Sequence, residues 1–186
     1  LSMEIVKGKD SLSLFCHLLS RYHYLGYSVT VVESMKYLIR DKFGRPLSCV
    51  LFGSAAWKVA CRDGYVVWTK ECRERNLFLV TNNMRFLVLP WVRVAHLASH
   101  ILGRIARRIR KDWVERYGHT VVLLETFVDT SRFRGTCYRA ANWRYAGQTK
   151  GRSRNDRYND LRVPVKDVYL YPLTPHFREI LADERH

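Results

Sequence analysis

The sequence predicts a mixed α/β domain whose central, largely antiparallel sheet is flanked by helices. Three observations carry that prediction. Short apolar, β-prone runs recur between turn residues, as in Tyr37 to Ile39 and Leu47 to Phe52. One long amphipathic segment, Ala95 to Tyr117, lies between two apolar strands and predicts a strand–helix–strand crossover. The chain has 186 residues, 47% hydrophobic and 13% aromatic, enough to bury one real core and to exclude wholesale disorder. A single domain over residues 1–186 is expected.

The first element is a helix from Ser11 to Tyr22. Its apolar residues 12, 14, 15, 18, 19 and 22 form a stripe, and Gly26 is the expected stop. Met35 to Asp41 reads as a strand, the FGRP turn (Phe43 to Pro46) follows, and Leu47 to Phe52 reads as its antiparallel partner. Gly64 to Trp68 is short and β-prone, and Arg75 to Val80 is a further short element. Phe86 to Val92 is apolar on both faces and predicts a central strand. The long helix carries Leu97, Ile101, Leu102, Ile105, Ile109 and Trp113 on one side and ends at Gly118. Val121 to Val128 predicts a second buried strand and Gly135 to Trp143 a short helix. Arg144 to Arg162 is polar and basic and reads as a loop. Asp167 to Pro172 is the last strand, and Thr174 to Ala182 a tail helix.

Charge narrows the function classes. Lys and Arg number 32 against 17 Asp and Glu, a net charge of +15. So basic a domain attracts polyanions: nucleic acid first, an anionic membrane surface or an acidic protein second. No apolar run approaches the ~18–20 residues of a membrane span, and no aromatic-rich amphipathic segment accompanies the charge, so no membrane partner is expected. The N-terminus lacks the charged-then-apolar order of a secretory signal. It opens on Leu1 rather than Met, as a fragment or a tagged chain would. Five widely spaced cysteines show no CxxC and no zinc spacing, which favours a reducing cytoplasm and no metal.

A set of motifs in fixed order then resembles a known family. RYHYLGY, FGSAAWKVACRD, NNMRFLVLPWVRVAHLASHIL, LETFVD, RGTCYRAANWRYAGQTKGR and DVYLYPL resemble the anti-phage Druantia protein DruA family from about Arg21 to Leu181. The resemblance implies a nucleic-acid-binding component of bacterial anti-phage defence that acts with other defence-system proteins. It also implies a family N-terminal extension that this sequence lacks, and some members are linked to mobile elements, so a DNA-binding mobile-element protein is an alternative. A weaker resemblance is to GNAT-type acyltransferases and, within them, the phage Mom DNA-modification proteins, through the element order. That likeness implies a GNAT-like domain and, as an alternative function, an acyl-CoA-dependent or related transferase modifying nucleobases. Its phosphate loop falls on Arg93, Val94, His96, Ala98 and Ser99, at the start of the long helix, where free N–H groups bind phosphate. Two positions depart from the pattern: His96 stands where a glycine is usual, and Trp143, four before Gly147, stands in place of a general-acid Tyr. An indole donates a hydrogen bond but does not exchange its proton as a phenol does.

Candidate site residues follow. Arg104, Arg107, Arg108 and Lys111 share one helix face and suit a phosphate backbone; a merely solvated face is the alternative. In the basic loop 144–162, Lys150, Arg152, Arg154 and Arg157 are interleaved with Gly147, Gly151, Tyr145 and Tyr158, which suits phosphate contacts and stacking. Glu125 and Asp129, four apart on an apolar strand, share a face and are candidate catalytic carboxylates; a buried salt bridge with Arg85 or Arg139 is the alternative. Tyr138 and Tyr145 are candidate acids in place of the missing phenol. His23, within RYHYLGY, is a candidate through the family resemblance, against a packing role beside Tyr22 and Tyr24. Arg62-Asp63, with Asn82, Asn83 and Arg85, either read substrate or serve turns and an ion pair.

Overall fold

The computed structural model describes residues 1–28, 32–150 and 164–184. Among these residues seven strands hydrogen-bond in the order β1-β2-β3-β4-β5-β7-β6, with β1–β2, β2–β3, β5–β7 and β6–β7 antiparallel. The chain divides into two compact units, Leu1–Ser54 with Asn82–Leu97 and Ala55–Thr81 with Ala98–His186.

In the first unit β1 (Ser2–Ile5) pairs with β2 (Met35–Arg40), which pairs with β3 (Pro46–Ser54). The helix α1 (Lys9–Tyr22) lays Phe15, Leu18 and Leu19 on Leu38, Cys49 and Leu51, the inward-facing residues of the hairpin. Each such buried side chain contributes roughly 1.5–3 kcal/mol. The helix stops at Tyr22, short of the expected glycine. Gly26 instead closes a turn at φ 59°, its N–H donating to the His23 carbonyl. β1 was not expected; at four residues it is too short for alternation to register.

The strand β4 (Val80–Val88) begins six residues before the expected Phe86 and ends four before Val92. Its polar start is tolerated because Asn83 Nδ2 donates to the Leu51 and Arg85 carbonyls, at 3.1 Å each. The chain turns after Leu89, where the Val92 N–H donates to the Leu89 carbonyl.

In the second unit Gly64–Val66 of the expected β-prone stretch Gly64–Trp68 is helical. α2 (Ala60–Val66) ends at Val67, which sits at φ 63° in the left-handed region. α3 (Lys70–Asn76) is capped by Thr69, whose hydroxyl accepts from the Cys72 amide, and a 3₁₀ turn Leu77–Leu79 leads into β4. α4 (Leu97–Tyr117) matches the predicted long helix, with Ile101, Leu102, Ile105, Ile109 and Trp113 buried. β5 (Leu123–Asp129), α5 (Thr136–Ala140), β7 (Lys166–Pro172) and α6 (Phe177–Leu181) fall close to their predicted places. Val66, Leu123, Val168, Leu170 and Phe177 anchor this unit's core. The expected loop 144–162 needs correction at its start. Arg144–Gln148 is strand β6, paired to β7 with a register shift between Tyr145 and Gly147. No described helix is long and apolar enough to cross a membrane.

Candidate functional site

Successive residues of a strand face opposite ways, so β5 presents two different environments. On one face Glu125, wholly buried, meets α2. Its Oε2 accepts from Arg62 Nη1 at 2.9 Å and its Oε1 from the Ala56 amide at 2.7 Å. Arg62 is itself fully buried. It also donates to the Ala56 carbonyl and, through Nε and Nη2, to Asp63 Oδ1 at 3.0 and 2.9 Å. The Asp63 carboxylate further accepts from Trp68 Nε1, from the Val59 amide and from Arg73 Nη1. Arg62 and Arg73 are thus joined to Glu125 and Asp63 in one network, and Arg73 also stands 3.8 Å from Glu74. Burial pushes the Glu125 pKa up, opposed by the Arg62 charge and the Ala56 amide. The partner of Glu125 is Arg62, not Arg85 or Arg139. Arg85 donates to the Gly26 and Met84 carbonyls in the other unit.

The opposite face of β5 carries aromatic rings. Thr126 Oγ1 donates to the Tyr138 hydroxyl at 3.4 Å, and Tyr138 stacks on Tyr169 at 6.0 Å and meets Trp143 edge-on at 5.1 Å. Trp143 is buried and its Nε1 has no hydrogen-bond partner. Tyr145 is exposed and rests edge-on against Tyr169. Glu125 and Tyr138 therefore lie on opposite sides of one strand and do not meet. Asp129, at the end of β5, accepts from the hydroxyl and amide of Ser131, and these bonds hold its carboxyl below the usual range.

In the first unit His23 Nδ1 accepts from the Leu25 amide at 3.2 Å and its ring lies 4.9 Å from that of Tyr24. Burial, with the Arg85 charge, lowers its pKa from 6.5 to about 4, so the ring is neutral. Arg93, Val94 and His96 are exposed, and His96 sits at φ 57°. The residue standing in place of a glycine therefore adopts the backbone conformation glycine favours. Ala98 and Ser99, half-buried, open α4 in the second unit.

On α4, Arg107 and Lys111 are exposed and Arg104 half-buried. Arg108 is engaged within its own helix, donating to the buried Asp112 at 2.7 and 3.1 Å, and Lys111 stands 3.7 Å from Glu115. Arg110, also exposed, joins the face of Arg107 and Lys111. Lys150 is exposed; Arg152, Arg154 and Arg157 lie outside the described residues. Among the described residues no group of three His, Cys, Asp or Glu side chains is placed to hold a metal. The sequence singled out Arg62 and Asp63 but not their tie to Glu125, which only the packing of α2 on β5 reveals.

The fold is that of the GNAT-type acyltransferases. The spermidine N-acetyltransferase of Vibrio cholerae in complex with CoA and spermine aligns at a TM-score of 0.59 and 7% identity, covering 92% of this chain and 95% of that one. The same organism's enzyme with manganese ions gives 0.55 at 8% identity, covering 96% and 95%. A single-residue variant gives 0.58 at 7%, covering 95% and 97%. At such identities the likeness concerns the scaffold alone. The chain itself belongs to the Druantia protein DruA family, whose model matches residues 1–163. Membership implies a component of anti-phage defence, within a system of other proteins, built on a GNAT-like scaffold. No curated protein matches the chain.

Proposed function

We propose that this protein is a nucleic-acid-binding component of its defence system. The observation that carries the reading is the exposed face of α4, where Arg107 and Arg110 stand three residues apart beside Lys111 without an ion-pair partner among the described residues. A net charge of +15 supports it. Arg108 contributes less than spacing suggests, because Asp112 neutralises it locally. Exposed Lys150 adds to the positive charge of the chain.

Fluorescence anisotropy with a labelled 20-base-pair duplex tests the reading. Counterion release makes log K fall with log salt by about 0.9 per phosphate contact. Wild type is expected to show a steep slope, and Arg107→Ala with Arg110→Ala to reduce it by about two. Absent or salt-insensitive binding refutes the proposal.

A second reading, an acyl-CoA-dependent transferase acting on nucleobases, is favoured by one observation: the glycine-like backbone of His96 beside Arg93. A CoA thioester would supply the acyl group, its phosphates held by the backbone from Arg93 to Ser99. Trp143, buried where the acid is expected, argues against ordinary amine acetylation. A melting temperature that rises with acetyl-CoA supports this reading, and no rise with several CoA thioesters removes it.

A further inference from the structure

In the first unit an open groove of about 490 Å³ runs between the tip of the β2–β3 hairpin and the turn after β4. One wall is Asp41, Lys42 and Arg45; the other is Trp91 and Arg93, over an aliphatic floor that includes Leu47. Neither α4 nor the buried ion pairs contribute to it.

The acidic member of the lining is internally engaged. Asp41 accepts from the Phe43 and Arg45 amides at 2.8 and 2.9 Å and from Arg45 Nε at 2.7 Å. Against the upward push of burial, these bonds hold its carboxyl below the usual range. Asp41 thus organises the hairpin tip and presents Lys42 and Arg45 in a fixed turn. Both cations lie about one ring away from exposed Phe43, at 4.9 and 5.2 Å from its centroid. Arg93 is exposed and has no acidic partner among the described residues. Trp91 is 56% exposed, yet Tyr22 meets it edge-on at 5.1 Å and 85°, which fixes the indole. The Leu89 N–H donates to the Leu47 carbonyl at 3.0 Å and ties the two walls together.

A held, exposed indole beside Lys42 and Arg93, with Arg45 tied to Asp41, has a specific complement. The indole face takes a planar base, the cations take the flanking phosphates, and the aliphatic floor takes the sugar. Duplex DNA buries its base faces in the stack and offers none of them to Trp91. We propose that this groove binds single-stranded nucleic acid, with one base stacked on Trp91 and phosphates on Lys42 and Arg93. The inference rests on the nucleic-acid reading above and adds to it a second, strand-selective surface.

The test uses the full chain, a labelled twenty-residue oligothymidine and the labelled duplex. Trp91→Ala is expected to weaken oligothymidine binding about tenfold, within the range of a single base–aromatic stack. It should leave duplex affinity within about twofold and the melting temperature within a few degrees. Trp91→Phe should recover most of the loss. Lys42→Ala with Arg93→Ala should reduce the single-strand salt slope by about 1.4, at roughly 0.7 per phosphate. Oligothymidine binding that is unchanged in both variants, with duplex binding intact, overturns this inference alone. Acetyl-CoA that displaces oligothymidine from wild type and binds only when Trp91 is present also overturns it, by giving the groove to a free adenine nucleotide. Wild type that binds neither nucleic acid overturns the reading it rests on.

Discussion

Glu125→Gln is the sharpest perturbation of the core. Each carboxylate oxygen accepts a different donor, the Ala56 amide at 2.7 Å and Arg62 Nη1 at 2.9 Å. A glutamine has one acceptor oxygen, so in either orientation its amide nitrogen confronts a donor. That leaves a buried donor unsatisfied, about 1–3 kcal/mol. The substitution also removes one of the two carboxylates facing Arg62; breaking a buried ion pair costs about 3–5 kcal/mol. Because Asp63 still holds Arg62 Nε and Nη2, the lower end applies, and the expected destabilisation is about 3 kcal/mol. Urea unfolding should show a lower midpoint with an unchanged slope. Arg62→Met and Glu125→Leu should each cost at least as much, and the double variant Arg62→Met with Glu125→Leu less than the sum of those two singles. A coupling of about 2 kcal/mol is expected from such a cycle. A loss below about 0.5 kcal/mol for Glu125→Gln, or additive losses, would refute the assignment of Glu125 to a structural pair.

Two further outcomes test local geometry. Gly135 stands at φ 66°, and a Cβ there would lie 2.6 Å from the Tyr169 hydroxyl, so Gly135→Ala should destabilise by about 1–3 kcal/mol in the same assay. His23 has a folded pKa below its unfolded value, so between about pH 6.5 and 4 the unfolded chain binds more protons. Stability is therefore expected to fall as pH drops through that window and to be unaffected above it. Solvent screening of this half-buried ring limits the loss to about 1–2 kcal/mol. His23→Gln should flatten that part of the pH–stability profile, and an unaltered profile would count against the neutral ring.

What was legible in the sequence was whatever a single element imposes on itself. α4 repeats an apolar stripe over nearly five turns, and β5 and β7 are rich in Leu, Val and aromatic residues, so their patterns show without any tertiary context. What was not legible depends on partners distant in the chain. Gly64–Trp68 is rich in Val and aromatic residues and reads as strand, yet its first three residues close the helix α2, in which Arg62 docks on Glu125, 63 positions away. β4 was misplaced because Asn82 and Asn83 look like a turn until the Leu51 carbonyl accepts the Asn83 amide. β6 has a loop-like composition, and only its register against β7 makes it a strand. The same split holds for the sites. The stripe on α4 was readable by spacing, but its loss of Arg108 to Asp112 and the gathering of Lys42, Arg45, Trp91 and Arg93 around one groove were not.

Among the described strands β6 stands last in the order; it opens on exposed Arg144 and is interrupted by the shift at Gly147, where φ is 138°. A sheet's final strand is ordinarily a template onto which another chain can crystallise its backbone, and this one is a poor template: short, positively charged and out of step with itself. Backbone pairing with a further chain is therefore disfavoured at that edge. A contact made at this edge would have to be written in side chains such as Arg144 and Tyr145, and would be sensitive to point substitutions there.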